Sequence, residues 1–235
     1  MRLLVVVLGL LAAVPAAAQP KPGRITGVVK WKGAAPPRPP IRRDSDPVCA
    51  ETEALADGVI VTGGKVKDVV VRIKNGTAGT HTAPTAPVVL TQDKCTYAPH
   101  VTTAMPGQPL AVKNADPTYH NVHSWLAGKT VWNESHPAGA GDIKKPDVGA
   151  AGDVLELKCD VHPWMHAFVV VTDHPFVAVT GADGVFSIPA VPPGKYTLEA
   201  WHPVLGLRTA KLTVGKGRTA KASFTFTPVA ASDDD

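Results

Sequence analysis

The sequence has few aromatic residues, few cysteines and no run or stripe of basic charge. Aromatic residues make up 6% of the 235 residues, there are three cysteines, and 24 Lys and Arg face 20 Asp and Glu. Without a basic surface signature, nucleic acid is not expected as a partner. The sequence also lacks convincing helical periodicity, which argues against a helical protein.

Long apolar stretches are also scarce, and the clearest one, residues 3–14, lies at the N-terminus. Arg2 precedes it and small residues at 16–18 follow it, which is typical of an export signal. The run is short for a transmembrane helix and Pro20 follows soon after, although an uncleaved anchor is the alternative. We therefore predict a signal peptide over residues 1–18. The mature chain is expected in the periplasm or another extracytoplasmic compartment, with no membrane span.

What the sequence does contain is short segments rich in valine and threonine, separated by Gly, Pro, Asn and Asp. This pattern predicts an all-β fold, and 23 prolines and 21 glycines supply the many turns that it needs. The predicted strands are residues 25–31, 58–61, 68–74, 88–90, 110–113, 154–158, 167–171, 176–180, 185–188, 195–201, 207–214 and 222–226.

Soft metal ligands are concentrated between Cys159 and Met165, in the sequence CDVHPWM. A thiolate, an imidazole and a thioether within one short loop can fold around a single ion, and a thioether favours copper over zinc or calcium. Two histidines and a cysteine with a weak axial methionine form the blue-copper arrangement, so a second histidine is needed. His120, in the sequence YHNVH after a turn at residues 114–117, can supply it.

These two segments resemble the amicyanin-like cupredoxins, which have Pro-His-Asn-Val-His upstream and Cys-x-x-His-Pro-aromatic-Met downstream. The resemblance covers roughly residues 87–173 and implies a Greek-key β-sandwich that holds one type 1 copper ion. It implies that Asn121 braces the two ligand loops by hydrogen bonds. Carried over by position, the copper ligands are His120, Cys159, His162 and Met165.

The sequence departs from the family pattern at Tyr119, where proline is usual, and at Asp160, where threonine or serine is common. An acidic group beside the thiolate could lower the reduction potential. The alternatives to copper are structural zinc, which would have no use for Met165, and an unliganded core cysteine. His123 is expected to point away from the site, and His166 is interpreted as a surface residue.

If copper requires Cys159 as a free thiolate, Cys49 and Cys95 remain. Export favours pairing, so we predict a disulfide between these two cysteines. Two reduced structural cysteines are the alternative.

A second resemblance lies near the C-terminus. An Asp-Gly turn at residues 183–184 and a Pro-Pro-Gly turn at residues 192–194 resemble the carboxypeptidase regulatory-like domain, a smaller transthyretin-like β-sandwich. The family name implies no peptidase activity. We assign this sandwich to residues 174–228, followed by an acidic tail at 229–235. Residues 19–86 begin like the opening strand of the same family, so we expect them to complete this sandwich, with the cupredoxin inserted.

No nucleophile–base pair or cofactor fingerprint is evident in the sequence, so it is not expected to be an enzyme. We predict an exported electron carrier; the alternatives are copper storage, delivery or sensing, and an envelope interaction protein with a relic site. By analogy with amicyanin, the partners would be a periplasmic dehydrogenase and a c-type cytochrome. Trp164 is expected on the rim around His162 where electrons leave, unless it packs inward as core.

Overall fold

The structure is a computed structural model that describes residues 20–74, 76–77 and 79–228. The predicted signal peptide and the predicted acidic tail lie outside the described residues. The regular secondary structure of the described residues is almost entirely β-strand, which confirms the predicted fold class. Within these ranges no helix is long and apolar enough to cross a membrane.

Most elements follow one another along the chain with short connections, and longer stretches precede β2 and β5. In chain order they are β1 (Gly23–Trp31), α1 (Pro47–Ala50), β2 (Val61–Thr62), β3 (Lys65–Val66), β4 (Val70–Ile73), β5 (Val88–Asp93), β6 (Thr96–Ala98), β7 (Val101–Ala104), β8 (Leu110–Asn114), β9 (His120–Leu126), β10 (Lys129–His136), β11 (Ile143–Lys145), β12 (Val154–Lys158), β13 (His166–Val171), β14 (Val177–Val179), β15 (Val185–Val191), β16 (Gly194–His202), β17 (Gly206–Val214) and β18 (Thr219–Phe226).

The first sandwich contains β5 to β13. One of its sheets has the order β10-β9-β12-β13-β7 and the other has the order β11-β8-β5-β6. Alternate residues of these strands point inward, as the buried positions of β5 (Val88, Leu90 and Gln92) illustrate. The resulting core also contains Cys159 and Met165.

The second sandwich is built from both ends of the chain. One sheet has the order β15-β1-β3-β2, with β18 also paired to β1, and the other has the order β14-β4-β16-β17. β1 is antiparallel to β15 and parallel to β18. A Cβ atom on Gly27 would lie 1.9 Å from the carbonyl oxygen of Ala222 and 2.5 Å from the Phe186 ring. Only glycine therefore fits at the centre of this strand.

A small apolar cluster of Val70, Val101 and Val170 joins the two sandwiches. Val70 comes from the second sandwich and the other two valines come from the first. Phe168 from the first sandwich and Trp201 from the second also pack against the cluster, with ring centroids 6.1 Å apart. Burial of these side chains stabilises the contact between the sandwiches.

The chain between β1 and β2, which we call the crossing segment (residues 32–60), runs over to the first sandwich. Asp46 caps α1 there by accepting hydrogen bonds from the backbone nitrogens of Val48 and Cys49 at 2.8 and 3.3 Å. A disulfide joins Cys49 to Cys95, with Cα atoms 5.5 Å apart, and confirms the predicted pairing. A cross-link that closes a loop of this size contributes about 2–4 kcal/mol.

Candidate metal centre

The predicted ligands come from two neighbouring strands of the first sandwich. Cys159 directly follows β12, and His120 is the first residue of β9, which pairs with β12. Two backbone hydrogen bonds close the loop after β12, from Cys159 N to Met165 O at 3.2 Å and from Met165 N to His162 O at 2.8 Å. The turn thus brings His162 back over Cys159.

Three ligand atoms face one another at the centre of this arrangement. His120 Nδ1 lies 2.9 Å from His162 Nδ1, and Cys159 Sγ lies 3.8 and 3.7 Å from these two nitrogens. Atoms with these separations share a point about 2 Å from each, close to the ~2.0–2.3 Å of metal–imidazole and metal–thiolate bonds. Met165 is buried in the same core. The donor set and its spacing therefore fit a metal ion.

Each of the two imidazoles also contacts a carboxylate through its other nitrogen. His120 Nε2 lies 2.9 Å from Asp116 Oδ2, and His162 Nε2 lies 3.0 Å from Asp46 Oδ2. Asp46 is held in turn by the hydroxyl of Thr118, which donates to it at 2.7 Å. Such contacts fix the orientation and tautomer of a metal-binding histidine. Sequence reasoning missed both carboxylates.

The two imidazoles carry different proton affinities. Burial opposes protonation of His120, but Asp116 and the Cys159 sulfur outweigh it and raise the pKa of His120 to about 9. Burial and the nearby charge of His120 lower the pKa of His162. A proton on His120 Nδ1 can therefore be donated to His162 Nδ1. A bound metal ion would take the place of this proton.

Asn121 connects β9 to the loop that carries Cys159. Its Oδ1 accepts a hydrogen bond from the backbone nitrogen of Asp160 at 2.7 Å, and its Nδ2 donates to the Asp160 carboxylate, also at 2.7 Å. Asn133 donates to the same carboxylate at 2.9 Å, and His123 Nδ1 lies 2.9 Å from it. Burial alone would raise the pKa of Asp160, but these contacts lower it. The Asp160 carboxylate is thus occupied by β9 and β10.

The outer side of His162 is covered, and its exposed fraction is 3%. Asp46 lies against its Nε2, and Cys49 Sγ is 3.7 Å from the same atom. Trp164 is partly exposed, its ring is 5.1 Å from the His162 ring, and its Nε1 donates to the carbonyl of Cys95 at 3.0 Å. Trp164 is therefore a solvent-accessible aromatic group in contact with His162.

Behind the ligands, a buried polar network holds the strands together. Gln92 is fully buried and donates to Tyr97 Oη at 3.1 Å and to the carbonyl of Asn121 at 3.2 Å, while its Oε1 contacts His136 Nδ1 at 2.8 Å. Tyr97 Oη donates to the carbonyl of Lys158 at 3.3 Å. Both ligand-bearing strands are thereby fixed to the opposite sheet. Sequence reasoning did not identify this network.

Comparison with known proteins returns both families that the sequence resembles. The family model described as carboxypeptidase regulatory-like domain matches residues 160–227. Among solved structures, a purple cupredoxin from Nitrosopumilus maritimus is 21% identical, covering 36% of this chain and 98% of its own, with a TM-score of 0.30. A mutant of amicyanin in its oxidized state is 18% identical, covering 43% of this chain and 97% of its own, with a TM-score of 0.32.

A copper-containing nitrite reductase from Thermus scotoductus SA-01 is also similar, at 12% identity and a TM-score of 0.32, covering 63% of this chain and 28% of its own. No curated protein sequence matches the chain significantly. Overlaps with TM-scores this low carry no functional weight. The chemistry of the site therefore rests on its own residues.

Proposed function

We propose that the protein is an exported type 1 copper protein that carries single electrons. The observation that carries this proposal is the buried triangle of His120 Nδ1, His162 Nδ1 and Cys159 Sγ, with Met165 in the same core. Two imidazoles, one thiolate and a weak thioether are the ligand set of blue-copper electron-transfer sites. When bound, copper would supply a one-electron couple between Cu(II) and Cu(I).

The chain's own residues would keep the ligands in place while the charge of the site changes. Asp116 and Asp46 fix the rotation of the two imidazoles, and Asn121 holds the loop that carries Cys159. A ligand set held in this way moves little between oxidation states, which favours fast electron transfer. The three donor residues are at most 3% exposed, so the site is buried among the described residues.

That burial favours a carrier over an enzyme, because it leaves a substrate no open path to the metal. Electrons would instead leave through the edge of the site, and Trp164 is the partly exposed group that contacts His162.

The partners would be soluble redox proteins such as a dehydrogenase and a c-type cytochrome, by analogy with amicyanin. The apolar run at residues 3–14 supports export to the periplasm.

The test is a titration of the metal-free protein with Cu(II), followed by visible absorption. We expect an intense blue band that arises from one copper ion per chain and is abolished in Cys159→Ser. His81→Ala, which changes a histidine away from the ligands, serves as the control and should stay blue. A colourless wild-type complex, or a blue Cys159→Ser variant, would contradict the proposal. Rapid loss of the blue band to a chelator, without reversible redox behaviour, would instead favour copper delivery or storage.

A further inference from the structure

A second group of side chains that could hold a metal ion lies on the side of the first sandwich that faces the second one. Asp57, His100 and His166 each place a ligand atom within 4.8 Å of the other two. Asp57 belongs to the crossing segment, His100 directly precedes β7, and His166 is the first residue of β13. Three separate parts of the chain therefore converge on one point.

His100 is the most informative member of the group. It is 6% exposed, and its Nδ1 lies 3.2 Å from Asp68 Oδ2. Its Nε2 is buried and has no hydrogen-bond partner among the residues that the structure describes. Folded proteins leave few buried polar atoms without a partner, so this nitrogen calls for an explanation.

Asp68 prepares His100 to bind an ion. With its carboxylate against Nδ1, the proton of a neutral imidazole stays on Nδ1 and the lone pair remains on Nε2. Asp68 is itself held by Lys67, whose Nζ lies 2.7 Å from it. A carboxylate behind the imidazole is the usual partner of a metal-bound histidine.

Asp57 and His166 form the open side of the group. His166 Nε2 lies 3.5 Å from Asp57 Oδ1, and the two side chains are 29% and 27% exposed. Burial opposes ionisation of Asp57, but His166 and His100 lower its pKa, so the carboxylate is charged at neutral pH. The ring of Phe168 packs near both imidazoles, with centroids 5.7 Å from His100 and 5.9 Å from His166. An ion can thus enter from solvent into a site with fixed walls.

We propose that Asp57, His100 and His166 bind a second metal ion, a divalent first-row transition metal. Two imidazoles and one carboxylate, with no sulfur ligand, suit Cu²⁺ and Zn²⁺, and Cu²⁺ binds most tightly to such a site. Water would complete the coordination on the exposed side. This site is separate from the Cys159 centre, but a single peptide unit connects them because Met165 precedes His166.

The proposal does not depend on the proposed electron carrier. The other explanation of the group is a pair of ion pairs, Asp68 with His100 and Asp57 with His166, that needs no metal. An ion-pair cluster predicts no stoichiometric binding. A metal site predicts a defined second ion that depends on the carboxylate of Asp57.

The experiment uses Cu²⁺ with the full chain, and measures bound copper, blue absorption and electron paramagnetic resonance. We expect the wild type to bind two copper ions, the second adding a signal with larger copper hyperfine splitting and no blue colour. Asp57→Asn should lower the affinity for the second ion at least tenfold, while the blue band stays unchanged. Asp44→Asn, a change of the same kind in the crossing segment, is the matched control and should bind two ions.

His166→Ala, compared with His81→Ala, tests the histidine contribution and should lose the second ion. Because His166 adjoins Met165, its effect counts only together with that of Asp57→Asn. Cys159→Ser should keep the colourless ion, so a failure of the blue site is distinguishable from a failure of this one. A wild type that binds no copper apart from the blue ion, or a colourless ion held equally by Asp57→Asn, would overturn the proposal.

Discussion

The Asp46 carboxylate lies 3.0 Å from Nε2 of His162, although the two residues are 116 positions apart in the sequence. The contact places a negative charge at the outer edge of a proposed copper ligand. It also makes the crossing segment part of the wall of the site. Amino acids far from the ligand motifs can therefore set the properties of the metal.

Asp46→Asn is expected to raise the reduction potential, because the carboxylate favours Cu(II) over Cu(I). If that preference is about tenfold, the potential rises by about 60 mV for a one-electron couple. Asparagine caps a helix as well as aspartate does, so α1 should remain intact. The measurement is a spectroelectrochemical titration, with the exposed Asp44→Asn as the control. An unchanged or lowered potential in Asp46→Asn would refute the electrostatic role.

The metal-free protein should lose stability as the pH rises from about 6.5 to 9. The pKa of His120 is raised to about 9 in the folded state, against about 6.5 for an unperturbed histidine. A group whose pKa is raised by folding stabilises the fold below its unfolded pKa and loses that contribution as the pH passes its folded pKa. Denaturant unfolding in the presence of a chelator, at pH 6, 7.5 and 9, measures the effect.

Asp116→Asn provides the comparison for this pH dependence. Without the carboxylate, the pKa of His120 should fall and the loss of stability over the same pH window should shrink. If the free energy of unfolding falls equally with pH in the wild type and in Asp116→Asn, Asp116 does not hold the proton on His120. Copper affinity should increase with pH over this window, because the metal displaces the proton from His120. The stability of the metal-free protein decreases over the same window.

Removal of the disulfide, in the double variant Cys49→Ser and Cys95→Ser, should lower the free energy of unfolding by about 2–4 kcal/mol. It should also release α1 from His162, because Cys49 Sγ lies 3.7 Å from His162 Nε2. Copper should then transfer to a chelator faster than in the wild type. The half-time of the blue band under a fixed chelator excess measures this. A slower or equal transfer would mean that the crossing segment does not protect the site.

Trp164→Glu tests the predicted route of electrons. A glutamate on each molecule of a colliding pair repels the other, so electron self-exchange should slow about tenfold while the blue spectrum persists. Trp164→Phe keeps an aromatic ring there and serves as the control. Unchanged exchange in Trp164→Glu would place the exit elsewhere. Loss of the blue site would mean that Trp164 acts mainly in packing against Cys95 and the core.

The sequence predicted those parts of the site whose residues lie close together in the chain. The loop from Cys159 to Met165 follows a predicted strand, and its order of ligands is visible without a structure. β9 was not predicted, although it carries His120, because polar residues interrupt the alternation expected of a strand. β10 was missed too, since most of its residues are exposed and it lies at the edge of its sheet.

Contacts made by tertiary folding could not be predicted in this way. Asp116 lies four residues before His120 and could have been considered as its partner, but no spacing connects Asp46 with His162. The same holds for Asp57, His100 and His166, which converge only after the crossing segment is placed. His166 was interpreted as a surface residue, and its side chain is 29% exposed. Its neighbours, rather than its exposure, give it a candidate role.

The parallel pairing of β1 with β18 also sets an order of events during folding. The two strands lie at opposite ends of the described chain, so their pairing closes a loop that contains the whole first sandwich. All strands of the first sandwich precede β15 and β18 in the chain, so that sandwich can close while β1 still lacks both of these neighbours. Because closing this long loop costs more entropy than pairing strands that are close in the chain, pulse-labelled hydrogen exchange during refolding should protect β9 and β12 before β1. The first sandwich would then be folded before the second one is complete.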